Sequence, residues 1–283
     1  MPTSKIILHG GFFSELGTTD AIKKAKQQAL AEIAKKSFDF LKNHTALQTV
    51  VYAVEQLEDN DLFNAGTGSQ IQRDGKIRMS ASMMDGVTQR FSGVINIEDV
   101  KNPIRVAERL MTVDDRVLGG EGATQFAREN GFEYFSTETE VRRKEYDSKL
   151  KASRSGTVGC VVLDLFGNLA AATSTGGKGF EIPGRISDSA TVAGNFANAH
   201  CGVSCTGVGE DIVSGAIAAK IVTRVTDGMS LQLACEKTFA ELKPYDGFAG
   251  AIAIDTNGNM YHLDSHPTMV FASYDGESLK VFE

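Results

Sequence analysis

The pair Gly156-Thr157 stands where a highly charged segment gives way to the apolar run Thr157–Leu163. A threonine hydroxyl is a poor nucleophile unless a base lies beside it. If the chain is cut between these two residues, the new α-amine becomes that base, because its pKa of about 8 lies close to neutral pH. Glycine allows the backbone angles that self-cleavage requires, and the β-branch of threonine holds the hydroxyl near the amine. Taken alone, the pair is explained more simply as the junction of a loop and a strand.

Hydroxyl and charged groups that could serve such a nucleophile follow along the chain. Thr175 ends the next apolar segment, where its hydroxyl could bind the nucleophile or belong to a turn rich in threonine and serine. Arg185 and Asp188 lie three residues apart and suit the carboxylate and the amine of an amino acid. In isolation, an arginine and an aspartate at this spacing are more typical of a surface ion pair.

The segment Thr206-Gly207-Val208-Gly209-Glu210 precedes a predicted helix. Exposed N–H groups at such a position can stabilise an oxyanion. A phosphate-binding loop is the rival interpretation, but the segment lacks the lysine of those loops. His9 and His266 form no triad pattern with a cysteine or a serine, so we expect structural functions for both histidines.

The elements that position these residues follow from hydrophobic periodicity and turn residues. Strands are predicted over residues 5–8, ended by His9-Gly10-Gly11, and over 78–84, 87–95, 157–163, 169–174 and within 249–263. Helices are predicted over about 20–43, with Thr18 or Thr19 as the cap, over 47–57, 210–225 and 231–242, and after Asn102 and before Gly131. The strands and helices come in blocks and do not alternate strictly as β-α-β. This order favours an α+β fold with layered sheets and helices on the outside. Residues 136–156 are predicted to form a solvated linker or a polar, exposed helix.

The bulk composition narrows the possible partners. The 283 residues carry a net charge of −7, which argues against a nucleic acid or an anionic membrane as the main partner. The apolar run near the N-terminus is too short for a secretion signal, and no segment reads as a membrane span. The four cysteines are too sparse for a disulfide scaffold, so we expect reduced thiols and a cytoplasmic protein. A zinc site at His200, Cys201 and Cys205 lacks a second pair of ligands.

Seven segments carry a family resemblance: His9-Gly10-Gly11, LFNAGTGS (62–69), ASMMDG (81–86), GTVG (156–159), DLFGNLAAATSTGG (164–177), GRISDS (184–189) and SCTGVGE (204–210). Together, and in this order, they resemble the plant-type asparaginase/isoaspartyl peptidase family of N-terminal nucleophile hydrolases. Each segment alone is weak evidence for the family, whereas the ordered set is highly specific for it. The Thr-Ser-Thr-Gly-Gly ending favours this branch over the glycosylasparaginases, which typically read Thr-Asn-Gly there.

The resemblance implies a four-layer αββα sandwich, in which residues 1–283 form a single domain. It also implies autocleavage into residues 1–156, whose last part from about 136 is the polar linker, and residues 157–283. The implied assembly is a homodimer of cleaved protomers. The implied partner is a small amino-acid or dipeptide substrate, and catalysis is expected to need no cofactor.

The resemblance assigns catalytic functions residue by residue. Thr157 is the implied nucleophile, freed by cleavage after Gly156. Thr175 is expected to form a hydrogen bond with it. Thr206 and Gly207 are expected to supply the oxyanion hole. These assignments place the whole catalytic group between residues 156 and 207.

Substrate and cation binding are assigned in the same way. Arg185 and Asp188 are expected to bind the carboxylate and the amine of the substrate, with Gly207 beside them and Asn64 in a supporting position near the nucleophile. A structural sodium ion is expected on backbone carbonyls of the segment 57–67, namely those of Leu57, Glu58, Asn60, Phe63, Ala65 and Thr67.

Four features depart from the family pattern. Ser80 stands where aspartate is usual, and Phe12 follows the His-Gly-Gly segment where small residues are common. Glu181 stands where lysine is usual, which reverses a charge near the expected mouth of the site. Residues 262–269 do not match the usual C-terminal pattern. These departures leave the nucleophile in place but bear on the identity of the substrate and on processing.

The implied activity is hydrolysis of the β-amide of L-asparagine and of β-aspartyl (isoaspartyl) dipeptides through an ester on Thr157. Two alternatives remain open. One is a protein-processing protease of the threonine-aspartase type, which would use the altered mouth near Phe12 and Glu181. The other is an uncleaved, non-catalytic protein that binds an amino acid through Arg185 and Asp188.

Overall fold

The structure is a computed structural model that describes residues 3–13, 19–148, 156–266 and 268–283. Over these residues the chain folds into a mixed α+β arrangement. The strands are β1 (Lys5–Phe12), β2 (Met79–Asp85), β3 (Arg90–Ile97), β4 (Val117–Gly119), β5 (Val158–Leu163), β6 (Leu169–Thr175), β7 (Asn195–Ala197), β8 (Cys201–Gly207), β9 (Ala249–Asp255), β10 (Met260–Asp264), β11 (Met269–Tyr274) and β12 (Leu279–Val281). The helices are α1 (Asp20–Leu41), α2 (Ala46–Glu58), α3 (Pro103–Leu110), α4 (Gly120–Glu129), α5 (Glu140–Asp147), α6 (Gly209–Gly215), α7 (Ile217–Thr226) and α8 (Leu231–Ala240).

The described strands form two sheets. The larger sheet has eight strands in the order β12-β11-β1-β5-β6-β2-β3-β4, and the smaller sheet has four in the order β10-β9-β8-β7. Strand β5 lies inside the larger sheet, where its Gly159 pairs with His9 of β1 and its Val158 pairs with Ser174 of β6. This register brings Thr157, the residue before β5, beside the end of β6.

Both faces of the central strands are buried, which explains their nearly continuous apolar sequences. In β1, Ile6 and Leu8 join a core with helices α1, α2 and α3, whereas Ile7 points into a second core between the two sheets. Strands β8 and β9 close that second core from the other side. Their outer face carries a third core, in which Val203 of β8 packs with Ile221 of α7 and with α8.

The first strand is longer than its sequence predicts. His9-Gly10-Gly11 does not end it, because β1 continues through a bulge to Phe12, with Gly11 at a φ of +89°. A Cβ at Gly10 would lie 2.5 Å from the Phe63 ring. Glycine at this position therefore permits close packing inside a strand and does not mark a turn, which is why the prediction was wrong.

The single helix predicted over residues 210–225 is also wrong, because two helices occupy this range. Helix α6 ends and α7 begins at Ala216, whose φ of 47° and ψ of 43° are left-handed. Buried residues continue on both sides of the break, at Ile212 and at Ile217 and Ile221. The apolar periodicity therefore runs across the break and conceals it in the sequence.

The charged segment before Thr157 contains helix α5, of which no residue is buried. This confirms the polar, exposed helix for residues 140–147. Thr18, residues 149–155 of the predicted linker and Pro267 lie outside the described residues. Thr19 caps α1, because its side chain accepts a hydrogen bond from the Ile22 N–H. In the described part of the chain, no helix combines the length and the apolar character that crossing a bilayer requires.

The close approach of the two sheets at Gly159 can be tested by adding one methyl group. A Cβ at this position would lie 2.0 Å from Ser204 Oγ and 2.4 Å from His9 Nε2. We expect Gly159→Ala to lower the free energy of unfolding by about 1–3 kcal/mol, the usual cost of overpacking a core. Gly122→Ala is the matched control, since a Cβ there meets open space in helix α4. Urea denaturation measures both variants, and equal stabilities would contradict the close approach.

Candidate active site

Thr157 directly precedes β5, and only 4% of its surface is exposed. Its hydroxyl donates a hydrogen bond to the hydroxyl of Thr175, with 3.2 Å between the oxygens. The Thr175 hydroxyl also accepts a hydrogen bond from the N–H of Gly177 at 3.2 Å. The pairing of β5 with β6 thus brings together the two threonines that the sequence singled out, and it orients the Thr157 oxygen.

A cavity of about 350 Å³ lies beside Thr157. Its volume falls in the range of roughly 300–1,000 Å³ that is usual for small-molecule sites. The residues that line it are Arg73, Thr157, Thr175, Gly177, Lys178, Gly179, Phe180, Arg185, Ser187, Asp188, Gly207, Val208, Gly209 and Glu210. The lining contains the predicted nucleophile, its threonine partner, both predicted ligands for an amino acid, and Gly207. The predicted residues Asn64, Gly156 and Thr206 are not in the lining.

The guanidinium of Arg185 is held by the carboxylate of Glu210, in the first turn of α6. Its Nε and Nη2 each donate a hydrogen bond to that carboxylate at 2.9 Å. Lys178 Nζ donates to the same carboxylate, also at 2.9 Å. The hydrogen bonds from Arg185, followed by that from Lys178, lower the pKa of Glu210 to about 2. Arg185 is therefore fixed in one orientation by a partner that sequence reasoning did not identify.

Asp188 is buried in the wall of the same cavity. Burial raises the pKa of its carboxyl to about 7, although the charge of Arg185 acts in the opposite direction. Its Oδ2 has no hydrogen-bond partner among the described residues. A Cβ at Gly209 would lie 2.8 Å from Asp188 Oδ1 and 2.7 Å from Arg185 Nη2, so glycine there lets both groups approach the start of α6. A cation in the cavity would stabilise the charged form of Asp188.

Thr206 and Gly207 end strand β8, next to the cavity. Gly207 has a φ of +137°, and a Cβ on it would lie 2.6 Å from the carbonyl oxygen of Phe248. Only glycine fits this backbone position without strain. The Thr206 hydroxyl is buried and has no hydrogen-bond partner within the described ranges. Gly207 thus lines the same cavity as Thr157, and the residue before it carries a buried hydroxyl that no described group occupies.

Asn64 connects the loop after α2 to the segment after β6. Its Nδ2 donates to the carbonyl of Gly177 at 2.5 Å, and its Oδ1 accepts from the N–H of Gln70 at 2.9 Å. A Cβ at Gly156 would lie 2.7 Å from the Cβ of Asn64. Gly156 thus lies directly against Asn64, and a larger residue at position 156 would displace Asn64.

A buried hydrogen-bonded chain lies behind Thr157, and sequence reasoning missed it. His9 Nδ1 is 3.1 Å from the carbonyl oxygen of Thr157, and His9 Nε2 is 2.8 Å from Ser204 Oγ. Ser204 Oγ is in turn 2.7 Å from Thr173 Oγ1. A carbonyl can only accept, so Nδ1 carries the proton and Nε2 accepts from Ser204. Burial lowers the pKa of His9 to about 3, which keeps the ring neutral.

The segment 57–67, where the sequence predicts a cation, comprises the last two residues of α2 and the loop that follows it. A Cβ at Gly68 would lie 2.9 Å from the carbonyl oxygen of Asp61 and 3.0 Å from that of Phe63. The Glu58 side chain, which sequence reasoning did not consider, accepts from Ser174 Oγ at 2.6 Å and from the N–H of Ile104 at 3.1 Å. Burial raises the pKa of Glu58 to about 8. Among the described residues, no three His, Cys, Asp or Glu side chains are grouped as a metal ion would require.

Comparisons with known proteins show the family of this chain. The sequence model of a family described as asparaginase matches residues 2–155 and 136–282. The chain belongs to the asparaginase family. The resemblance carried by the seven segments is thereby confirmed.

Three relatives span nearly the whole chain of this asparaginase-family protein. A protein of Nostoc sp., named isoaspartyl peptidase/L-asparaginase, is 43% identical over 97% of this chain and 93% of its own length. A protein of Synechocystis sp. with the same name is 40% identical over 98% of this chain and 89% of its own. The plant-type L-asparaginase of Pyrococcus furiosus is 36% identical over 94% of this chain and 95% of its own.

Two departures from the asparaginase pattern are not among the residues that line the cavity. Phe12 is buried between the sheets, where its ring packs against Phe248 with centroids 4.6 Å apart. Glu181 is 5% exposed and does not line the cavity; its Oε1 accepts from the N–H of Lys178. Apolar packing explains the phenylalanine at position 12, and the turn around Gly177 explains the glutamate at position 181. Phe12 is thus not at the mouth on which the protein-processing alternative depends, whereas Glu181 lies directly behind Lys178 of the cavity wall.

The other two departures have different surroundings in this member of the asparaginase family. Ser80 pairs with Thr175 across β2 and β6, and its hydroxyl accepts from the N–H of Asn96 at 3.1 Å. It is thus a strand neighbour of the threonine that binds Thr157. The stretch 262–269 contributes Ser265 and His266 to a second cavity of about 360 Å³ against α8, which shares no described lining residue with the first.

The chain of hydrogen bonds behind Thr157 predicts a specific loss of stability. We expect His9→Leu to lower the free energy of unfolding by about 2–4 kcal/mol at pH 7.5, because it removes the buried ring that binds both the Thr157 carbonyl and the Ser204 hydroxyl. Thr173→Val, which removes only the outer donor, should cost about 1 kcal/mol. His200→Leu is the exposed control and should change stability by less than about 0.5 kcal/mol.

The stability difference between wild type and His9→Leu should depend on pH, and the lowered pKa of His9 determines the sign of that dependence. Burial lowers the pKa of this ring from 6.5 to about 3, so the unfolded chain binds the additional proton as the pH falls below 6.5. The contribution of His9 to stability should therefore decrease from pH 6.5 toward pH 4. Urea denaturation at several pH values measures this. A difference between wild type and His9→Leu that grows in acid would contradict the assigned neutral ring.

Proposed function

We propose that this chain is an autoprocessing amidohydrolase that cleaves the side-chain amide of L-asparagine and β-aspartyl dipeptides, with Thr157 as its nucleophile. The observation that carries the proposal is that one cavity is lined by Thr157 together with Arg185 and Asp188. Its volume of about 350 Å³ suits a small substrate. The relatives named isoaspartyl peptidase/L-asparaginase, similar over nearly the full chain, support the same reaction.

Autocleavage is the first step of the proposed mechanism. Thr157 Oγ attacks the carbonyl carbon of Gly156, the peptide nitrogen leaves as the α-amine of Thr157, and an ester joins the two residues. Water then hydrolyses the ester and releases residues 1–156 with a free carboxylate. The tight contact of Gly156 with Asn64 and the hydrogen bond from Thr157 to Thr175 support this step, because both restrict the geometry around the bond.

Hydrolysis of the substrate follows the same chemistry with a different carbonyl. Arg185 binds the α-carboxylate of the substrate and Asp188 binds its ammonium. Thr157 Oγ attacks the side-chain carbonyl, and the free α-amine takes the hydroxyl proton and passes it to the departing nitrogen. Thr206 and Gly207 stabilise the developing oxyanion. Water then hydrolyses the β-aspartyl ester, which releases L-aspartate and restores the hydroxyl; no cofactor takes part.

The architecture belongs to the same proposal. We infer a four-layer αββα sandwich of the N-terminal nucleophile type, formed by residues 1–283 as one domain. Helices α1 to α3 on the larger sheet, the contact between the sheets, and helices α7 and α8 on the smaller sheet support this order of layers. We also propose a homodimer of cleaved protomers, as the family resemblance implies, and a cytoplasmic location, as the sparse cysteines favour.

A structural sodium ion on the segment 57–67 is proposed as well. The ligands would be the backbone carbonyls of Leu57, Glu58, Asn60, Phe63, Ala65 and Thr67. Neutral carbonyl oxygens are ligands that suit a hard, singly charged cation. The close packing of Gly68 against the carbonyl oxygen of Phe63, which is one of these six, supports the assignment. The ion would stiffen the loop that carries Asn64 and would take no part in the reaction.

Replacing the nucleophile tests cleavage and turnover together. We expect Thr157→Ala to remain a single chain and to lose at least about 10³-fold in turnover of asparagine, because no hydroxyl remains to form the ester. Thr157→Ser keeps a hydroxyl and should still be cut between residues 156 and 157. Intact-mass spectrometry and release of ammonia provide the measurements. A wild-type chain that stays whole and releases no ammonia would instead favour the uncleaved amino-acid-binding protein.

The raised pKa of Asp188 predicts how binding depends on pH. Because burial places this pKa near 7, the carboxylate that binds an ammonium forms only as the pH rises through that value. Competitive inhibition by L-aspartate should tighten about tenfold between pH 6 and pH 8. Asp188→Asn should bind more weakly and lose this dependence, while the α-amine of Thr157 titrates equally in both proteins. The same rise in Asp188→Asn would assign the titration to another group.

A further inference from the structure

Arg73 lines the cavity of Thr157, yet neither the proposed catalysis nor the binding of an aspartyl group uses it. Its guanidinium forms no hydrogen bond or ion pair with any other residue in the described ranges. The other two cations of the lining are both engaged, because Arg185 and Lys178 donate to Glu210. Arg73 is therefore an exposed positive charge at the cavity with no described partner.

The main chain around Arg73 is fixed to the cavity wall. The Arg73 N–H donates to the carbonyl of Glu181 at 3.2 Å, and the Phe180 N–H donates to the carbonyl of Ile71 at 3.0 Å. The hydroxyl of Tyr146 donates to the Arg73 carbonyl at 3.2 Å, and its ring stacks on Phe180 with centroids 5.2 Å apart. The backbone of Arg73 is thus held in place while its exposed side chain is free to turn toward a ligand.

Of the three cations in the lining, Arg73 is the one without a carboxylate partner among the described residues. Glu210 already accepts from two cations, and an aspartyl substrate would bring a carboxylate for Arg185 and an ammonium for Asp188. The carboxylate of Glu181 lies behind the wall, buried, with one oxygen accepting from the Lys178 N–H at 3.3 Å. A second anionic group on the substrate would therefore find Arg73 as the available cation.

We propose that Arg73 binds the C-terminal carboxylate of the leaving amino acid in a β-aspartyl dipeptide. The inference rests on the proposed function and names the substrate class that the same site selects. A guanidinium binds a carboxylate through two parallel hydrogen bonds. In such a dipeptide one carbon atom separates this carboxylate from the scissile nitrogen, so it lies close to Thr157 on the leaving side. Asparagine releases ammonia, which has no carboxylate, and gains nothing from Arg73.

The test combines a change in the enzyme with a change in the substrate. The kcat/KM values of wild type, Arg73→Gln, Arg73→Lys and Arg90→Gln are measured with β-aspartyl-leucine, with its C-terminal amide, and with asparagine. Intact-mass spectrometry gives the cleaved fraction of each preparation. Arg90→Gln is the matched control, since Arg90 is exposed at the start of β3 and does not line the cavity.

Wild type and Arg90→Gln should prefer the free acid over the amide by about tenfold or more, as expected for a charge-assisted hydrogen bond. Arg73→Gln should lose this preference, mainly through a higher KM for the acid, and Arg73→Lys should retain part of it. An acid-to-amide ratio in Arg73→Gln equal to that of an active wild type would overturn the proposal for Arg73 alone. A cleaved wild type that hydrolyses neither dipeptide nor asparagine would overturn the proposed function and this inference with it.

Discussion

The neutral ring of His9 between the carbonyl of Thr157 and the hydroxyl of Ser204 is the interaction on which the rest of the site depends. It lies between two sheets in an apolar interior, where an unpaired polar group costs about 1–3 kcal/mol. In the series of hydrogen bonds from the Thr157 carbonyl through His9 and Ser204 to Thr173, only one arrangement of protons gives every group a partner. His9 lies on β1, Thr173 on β6 and Ser204 on β8, and Thr157 directly precedes β5. One hydrogen-bond network therefore connects the strands that surround the nucleophile.

The two acidic residues of the cavity have opposite environments and therefore different tasks. Glu210 is surrounded by cations that lower its pKa to about 2, and it holds Arg185 in position at all ordinary pH values. Asp188 is buried, so its pKa rises to about 7 and its charge is costly until a cation arrives. One carboxylate therefore serves to position a neighbour, while the other is kept ready for a ligand.

The sequence was most informative where a function is carried by a short contiguous segment. Thr157, Thr175, Arg185 and Asp188 were candidates by local composition, and the family resemblance of the seven ordered segments assigned their functions. The helices and strands mostly follow from their periodicity. Contacts between distant segments could not be selected in this way. His9 and Ser204 are separated by 195 positions, and only the order of strands in two sheets brings them together. The left-handed Ala216 escaped prediction because apolar residues continue across it.

The order of strands in the larger sheet determines what a break after Gly156 would do to the molecule. Strand β1 comes from residues 1–156, yet both its neighbours, β5 and β11, come from residues 157–283. The strands β2, β3 and β4 from the first part join the sheet through β6 of the second. Strands of the two parts therefore alternate in groups in the larger sheet. A cut would remove covalent continuity without releasing either piece, and the strand that carries His9 gains both of its neighbours only after β11, at Met269–Tyr274, has been synthesised.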